Sequence, residues 1–178
     1  GLRNPELATL CATHGAALVI MHTAAPPKVR RQDPALYADV SLEVRDFLAE
    51  RMAVATDAGL PLTSTIVDPG PDFTKTPKQT IDLLRDLAPV RALERPLLLA
   101  LSRKDFLGAI TGRTPAQRDA ATMAAIAHVA ATPGNIVRVH DVAAALDVIA
   151  VVETLAGRRD IAADYVLSDD LRYERSGD

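Results

Sequence analysis

Four short apolar runs, at residues 16–21, 63–67, 97–101 and 136–139, constrain this chain more than any other feature in it. Each is too short for a buried helix, and their starts lie 34 to 47 residues apart. Strands buried on both faces read as such unbroken runs, and parallel neighbours need a long crossover between them. The intervening stretches supply the crossovers. Asn4-Pro5 opens a helix, with Asn4 as N-cap and Pro5 at the first helical position. After Tyr37, the residues Val40, Val44, Phe47, Leu48, Met52 and Ala55 form one apolar helical face, which Gly59 ends. Thr76-Pro77-Lys78-Gln79 and Thr114-Pro115-Ala116-Gln117 carry Gln three residues after Thr, the spacing of a capping box. Asp141 caps a last helix over Val142–Leu155, stopped by Gly157. Repeated βα units of this kind predict an α/β fold with a parallel sheet.

Two architectures answer to that pattern, an open doubly wound sheet and a (β/α) barrel. No G-x-G-x-x-G follows any of the runs, so the dinucleotide form of the open sheet lacks its phosphate turn. A complete barrel has eight βα units in about 250 residues. This chain has four in 178 residues, preceded by a helix without its strand. It reads as the second half of something larger over residues 1–156, followed by a charged tail at 157–178 rich in Arg and Asp.

Composition narrows the function classes. The net charge of −3 leaves no general basic footprint for nucleic acid. A single cysteine, Cys11, excludes an internal disulfide and a multi-cysteine zinc site, and points to a reducing, cytoplasmic setting. No apolar run approaches the roughly 18 residues of a membrane span. Gly1-Leu2-Arg3-Asn4 does not open a signal peptide. The expectation is a soluble protein with no nucleic-acid or membrane partner.

Polar residues gather at the carboxyl ends of the four runs, where α/β proteins bind ligands. His22 follows the first, Asp68 ends the second, Ser102, Arg103 and Lys104 follow the third, and Arg138 and His140 close the fourth. Side chains alternate along a strand, so Arg138 and His140 share a face, with Val137 and Val139 turned toward the helices. A buried Arg needs a partner. A salt bridge to Asp141 or Asp68 would serve, but polar groups at all four ends favour an anion site. His22 alone reads as a hydrogen-bonded structural histidine. His14, His128 and Cys11 read as scaffold. Lys28, Arg30 and Arg31 read as a solvated basic run in a long loop, and surface salt bridges would account for Asp72, Lys75 and Asp105.

At Asp68-Pro69-Gly70, Ser102-Arg103-Lys104-Asp105-Phe106-Leu107-Gly108 and Arg138-Val139-His140-Asp141, the chain resembles the dihydropteroate synthases of the pterin-binding barrel family. The resemblance covers roughly residues 1–156 and includes Val19-Ile20-Met21-His22 and Pro34-Ala35-Leu36-Tyr37. It implies strands five to eight, with their helices, of a TIM-type (β/α)8 barrel. It also implies condensation of 6-hydroxymethyl-7,8-dihydropterin diphosphate with p-aminobenzoate. By the resemblance, Asp68 accepts hydrogen bonds from the pterin edge and Phe73 packs near the pterin. Lys104 lies beside the pterin ring and the substrate amine, and Ser102 near the p-aminobenzoate carboxylate. Arg138 and His140 hold the diphosphate, and Lys104, Arg138 and His140 carry the catalysis. Magnesium (Mg2+) is implied on the diphosphate oxygens, with no metal-ligating residues in this chain. Partners implied are the two substrates and either a homo-oligomer or the missing N-terminal half.

The chain departs from the family pattern at Asp72, where a Gly is usual, and at Asp105, where a small residue is usual. By the resemblance, Gly1-Leu2 matches the residues just after strand four, so the chain is expected to lack the first four strands with their pterin-binding Asn and Asp, and to be incomplete. Two alternatives share the pterin pocket. One is a pterin-binding methyltransferase, which needs no diphosphate site. The other is a divergent, non-catalytic pterin-binding module.

Overall fold

The computed structural model describes residues 2–26, 29 and 31–173. Lys28 and Arg30 of the basic run lie outside the described residues. The strands are β1 (Leu18–Met21), β2 (Thr65–Asp68), β3 (Leu97–Ala100) and β4 (Asn135–Arg138). The helices are α1 (Glu6–His14), α2 (Val40–Asp57), α3 (Pro77–Arg85), α4 (Ala88–Arg91), α5 (Asp105–Thr111), α6 (Asp119–Ala130) and α7 (Val142–Leu155).

The sheet is parallel throughout, in the order β1-β2-β3-β4. That order decides between the two architectures. Right-handed crossovers that always step the same way place every helix on one face. A doubly wound sheet reverses direction and uses both faces. Burial agrees with winding in one direction: Ile20, Val67, Leu97 and Leu99 are at most 1% exposed and join the core with α2 residues Val44 and Leu48. On the opposite face Val19 is 43% and Ile136 41% exposed.

Local chemistry sets the helix bounds. Asp39 Oδ1 accepts from Ser41 N and Leu42 N, which starts α2, and Val40, Val44, Leu48, Met52 and Ala55 bury the anticipated face. Thr76 and Gln79 form the reciprocal capping box of α3. Asn4 Oδ1 accepts from Glu6 N at 3.0 Å, although the helix itself begins after Pro5. The Thr114-Pro115-Ala116-Gln117 signal opens only a 3-10 turn, Pro115–Gln117, and α6 starts after it at Asp119. Strand bounds also differ at the ends. Residues 16–17 and 63–64 are not paired, because Leu62–Ser64 forms a 3-10 turn, and Val139 lies beyond β4. Residues 158–173 hold one 3-10 turn, Asp169–Leu171, and are exposed throughout.

Candidate active site at the carboxyl edge of the sheet

The end of β2 is shaped by Gly70. Its φ is +63°, and a Cβ there would collide with the His22 carbonyl, so only glycine closes this turn. The turn brings Gly70 N to Asp68 Oδ1 at 2.8 Å, while His22 N donates to the Asp68 carbonyl. Asp68 is 4% exposed. Burial raises its carboxyl above the usual range, and Lys104, Arg138 and Lys75 pull it back toward the ionised form. Asp68 pairs in register with Met21, and Arg138 with Ala100, so both side chains belong to the face that the helices leave open.

Near Asp68 lies a buried lysine. Lys75 is fully buried, and its Nζ reaches His22 Nδ1 at 2.8 Å, Gly70 O at 3.0 Å and Phe73 O at 3.2 Å. Desolvation outweighs the nearby carboxylates and lowers the ammonium to about 7. His22 is lowered to about 3, by its own burial first and then by Lys75. Its ring also packs edge-on against Phe47, at 4.8 Å between centroids. His22 is therefore the hydrogen-bonded structural histidine anticipated from sequence. Lys75 is not the surface salt-bridge partner expected there, since its three partners are uncharged acceptors inside the protein.

The stretch after β3 is held from two sides. Lys104 Nζ donates to Pro71 O at 2.8 Å and stands 4.3 Å from the centre of the Phe73 ring. Burial lowers its pKa, against the opposing pull of Asp72 and Asp68. Arg103 adopts a left-handed φ of +58° and forks onto both oxygens of Asp119 at 2.7 and 3.2 Å. Behind the loop, Arg118 is 8% exposed and donates to the carbonyls of Arg113, Arg103 and Lys104 and to Asp105 Oδ1. Asp105 thus forms a salt bridge, as expected. Asp72 does not: its carboxylate accepts from Thr80 Oγ1 and from the first two amides of α5.

Ser102 Oγ lies 2.7 Å from His140 Nδ1, which ties the ends of β3 and β4 together. Arg138 forms no hydrogen bond or ion pair with any described residue. The salt-bridge reading for it fails: Asp68 is turned to Gly70, and Asp141 accepts from Ala144 N at the start of α7. A cleft of about 1120 Å³ is lined by Phe73, Ser102, Arg103, Lys104 and Asp105, and by Arg31. Asp68, Arg138 and His140 are not in its lining and stand beside it on the open sheet face. Among the described residues no group of three or more His, Cys, Asp or Glu is placed to hold a metal ion. Nor is any described helix long and apolar enough to cross a membrane.

A strand-end carboxylate, a strand-end arginine and a lysine after the strand between them fit a ligand with a hydrogen-bond-donating edge and an anionic group, and comparison with known proteins names the family. The pterin binding enzyme family matches residues 1–140. The chain belongs to this family. Dihydropteroate synthase of Streptococcus pyogenes serotype M6 is 38% identical over 157 residues, 87% of this chain and 56% of that protein. The Yersinia pestis dihydropteroate synthase solved with a sulfonamide drug complex superposes with a TM-score of 0.81 at 27% identity, over 88% of this chain and 56% of that one. The Xanthomonas albilineans enzyme in complex with 7,8-dihydropteroate gives 0.77 at 36% identity, over 87% and 56%. The chain spans about half the length of the relatives it matches. Its fold is the parallel α/β arrangement of these TIM-barrel relatives, and the methyltransferase alternative is not favoured.

Three residues carry more than the sequence disclosed. Lys75 is in plain view, but nothing in its neighbourhood signals burial. Arg118 lies outside every motif. A signal for it existed in Gly108, a glycine within a helix, which is costly unless something needs the space. Asp72 stood out only as a departure from the family, and the Asp105 amide it holds lies 33 residues further along the chain.

Proposed function

We propose that this chain supplies strands five to eight of a TIM-type (β/α)8 barrel in a dihydropteroate synthase. That enzyme joins 6-hydroxymethyl-7,8-dihydropterin diphosphate to p-aminobenzoate. The amine nitrogen bonds to the exocyclic methylene carbon as the carbon–oxygen bond to diphosphate breaks, and the amine gives up a proton to solvent. The observation that carries this reading is the pairing of Asp68 with an unpartnered Arg138 on one open sheet face. Lys104 lies electrostatically between them.

In this reading Asp68, ionised, accepts hydrogen bonds from the amino-pyrimidine edge, where a charged acceptor pairs strongly. Phe73, 40% exposed beneath Lys104, is the apolar surface for the pterin ring. Lys104 stands by the ring and the amine. Arg138 and His140 take the diphosphate, whose charge grows as it leaves; cations already in place there stabilise the transition state without reorganising. Ser102 serves the p-aminobenzoate carboxylate and, through its hydrogen bond, His140. The described residues form no cage for magnesium, so such an ion would be held by diphosphate oxygens, as Mg²⁺ commonly is.

The open face, with Val19 and Ile136 exposed, and the unpaired edges of β1 and β4 are closed in this proposal by the first half of the barrel. Pairing with that half, or with further copies of the chain, is the expected assembly. A cytoplasmic setting accords with the lone Cys11. The test is to add strands one to four of the Streptococcus pyogenes relative and follow dihydropteroate formation. Turnover supports the synthase; retained pterin binding without turnover would establish a non-catalytic module instead.

A further inference from the structure

We propose that Asp72 is a positioning residue for Lys104, acting as a helix cap supplied from another loop. The residue that precedes α5, Lys104 itself, makes no side-chain cap. The first two amides of α5, those of Asp105 and Phe106, instead donate to Asp72 Oδ2 at 2.5 and 3.4 Å. The carboxylate is fixed at its other end. Thr80 Oγ1 donates to Asp72 Oδ1 and accepts from Asp72 N, both at 3.0 Å. Asp72 is held at a φ of +62°, a conformation an aspartate tolerates better than most residues but that glycine adopts freely. Keeping aspartate there forgoes the easier backbone, and the cap is what the side chain supplies in return.

The cap fixes Lys104 because its neighbours in both loops are fixed with it. Pro71 O receives the ammonium and Phe73 underlies it, so the residues on either side of Asp72 touch Lys104 directly. Asp72 pins the next residue's backbone, and Arg118 pins the carbonyls of Arg103 and Lys104 from behind. The charged groups facing Lys104 are Asp68 at the end of β2, Asp72 and Lys75 after it, Arg138 at the end of β4 and Asp105 at the start of α5. Asp72 therefore holds Lys104 in place and favours its charged form. The consequence for catalysis rests on the synthase reading, whereas the experiment below needs no substrate and can fail independently of it.

The test is reductive methylation of the folded chain across a pH series, with Lys104 read against the exposed Lys78 by peptide mass spectrometry. Asp72→Ala should raise the Lys104-to-Lys78 rate ratio at least about fivefold, the scale of losing one helix cap. Asp72→Asn, which keeps an acceptor but not the charge, should restore most of the protection. It should also shift the Lys104 titration midpoint downward while leaving that of Lys78 in place. An Asp72→Ala variant that folds with an unchanged ratio would overturn the proposal. So would an Asp72→Asn midpoint equal to wild type, which decides the matter if Asp72→Ala does not fold.

Discussion

The guanidinium of Arg118 occupies the space that a Cβ on Gly108 would need. The glycine inside α5 thereby admits the arginine that braces the carbonyls of Arg103 and Lys104 at the carboxyl edge of the sheet. A motif residue and a residue outside any motif form one device.

Gly108→Ala should displace Arg118 and strip donors from the part-buried carbonyls of Arg113, Arg103 and Lys104, destabilising the fold by about 2 kcal/mol. The same substitution made on an Arg118→Met background should cost much less, because the obstructing guanidinium is gone. Urea unfolding of the four variants of that cycle checks it; equal costs in both backgrounds would refute the coupling.

Lys75 makes stability depend on pH. Its folded pKa, about 7, lies well below the ordinary lysine value, so between these values the unfolded chain binds a proton that the folded chain does not. Stability therefore rises with pH across that window, by about 2 kcal/mol from pH 7 to 9 on the scale of 1.4 kcal/mol per unit. His22, lowered to about 3, has the same sign at lower pH: stability falls as pH drops from its unfolded value toward 3. Lys75→Met should flatten the dependence between pH 7 and 9, and urea midpoints at the two pH values measure it.

Ser102 and Arg138 should contribute unequally to anion binding. When the Ser102 hydroxyl donates to His140 Nδ1, the neutral imidazole keeps its proton on Nε2, available to an anion. Losing that one neutral hydrogen bond in Ser102→Ala should weaken inorganic diphosphate binding about threefold to fivefold, and losing the arginine in Arg138→Ala about tenfold or more. Calorimetric titration with diphosphate distinguishes the two, and a larger loss in Ser102→Ala would contradict the assignment.

Much of this site was legible because strands announce themselves and ligand residues sit at their ends. The unbroken runs located β1 to β4, and Asp68, Ser102, Arg138 and His140 fall on or just past the ends of their strands. What was not legible depends on contacts between distant loops. Asp72 meets Asp105 across 33 residues, and Lys75 meets His22 across 53. No local spacing encodes either. The Thr114 capping box does form, with Gln117 reaching back to Thr114 N, but it opens only a 3-10 turn, because Arg118, which precedes α6, is drawn inward to the Lys104 loop.

In the proposed function the ends of β2 and β4 form a pterin-diphosphate site. Titrating the chain calorimetrically with 6-hydroxymethyl-7,8-dihydropterin diphosphate, beside Asp68→Asn and Arg138→Ala, tests that directly. Binding should be saturable and weakened about tenfold or more by each substitution, as for the loss of a charge-assisted pair. A folded chain that gives no binding, or binding that both variants retain in full, would contradict the proposal.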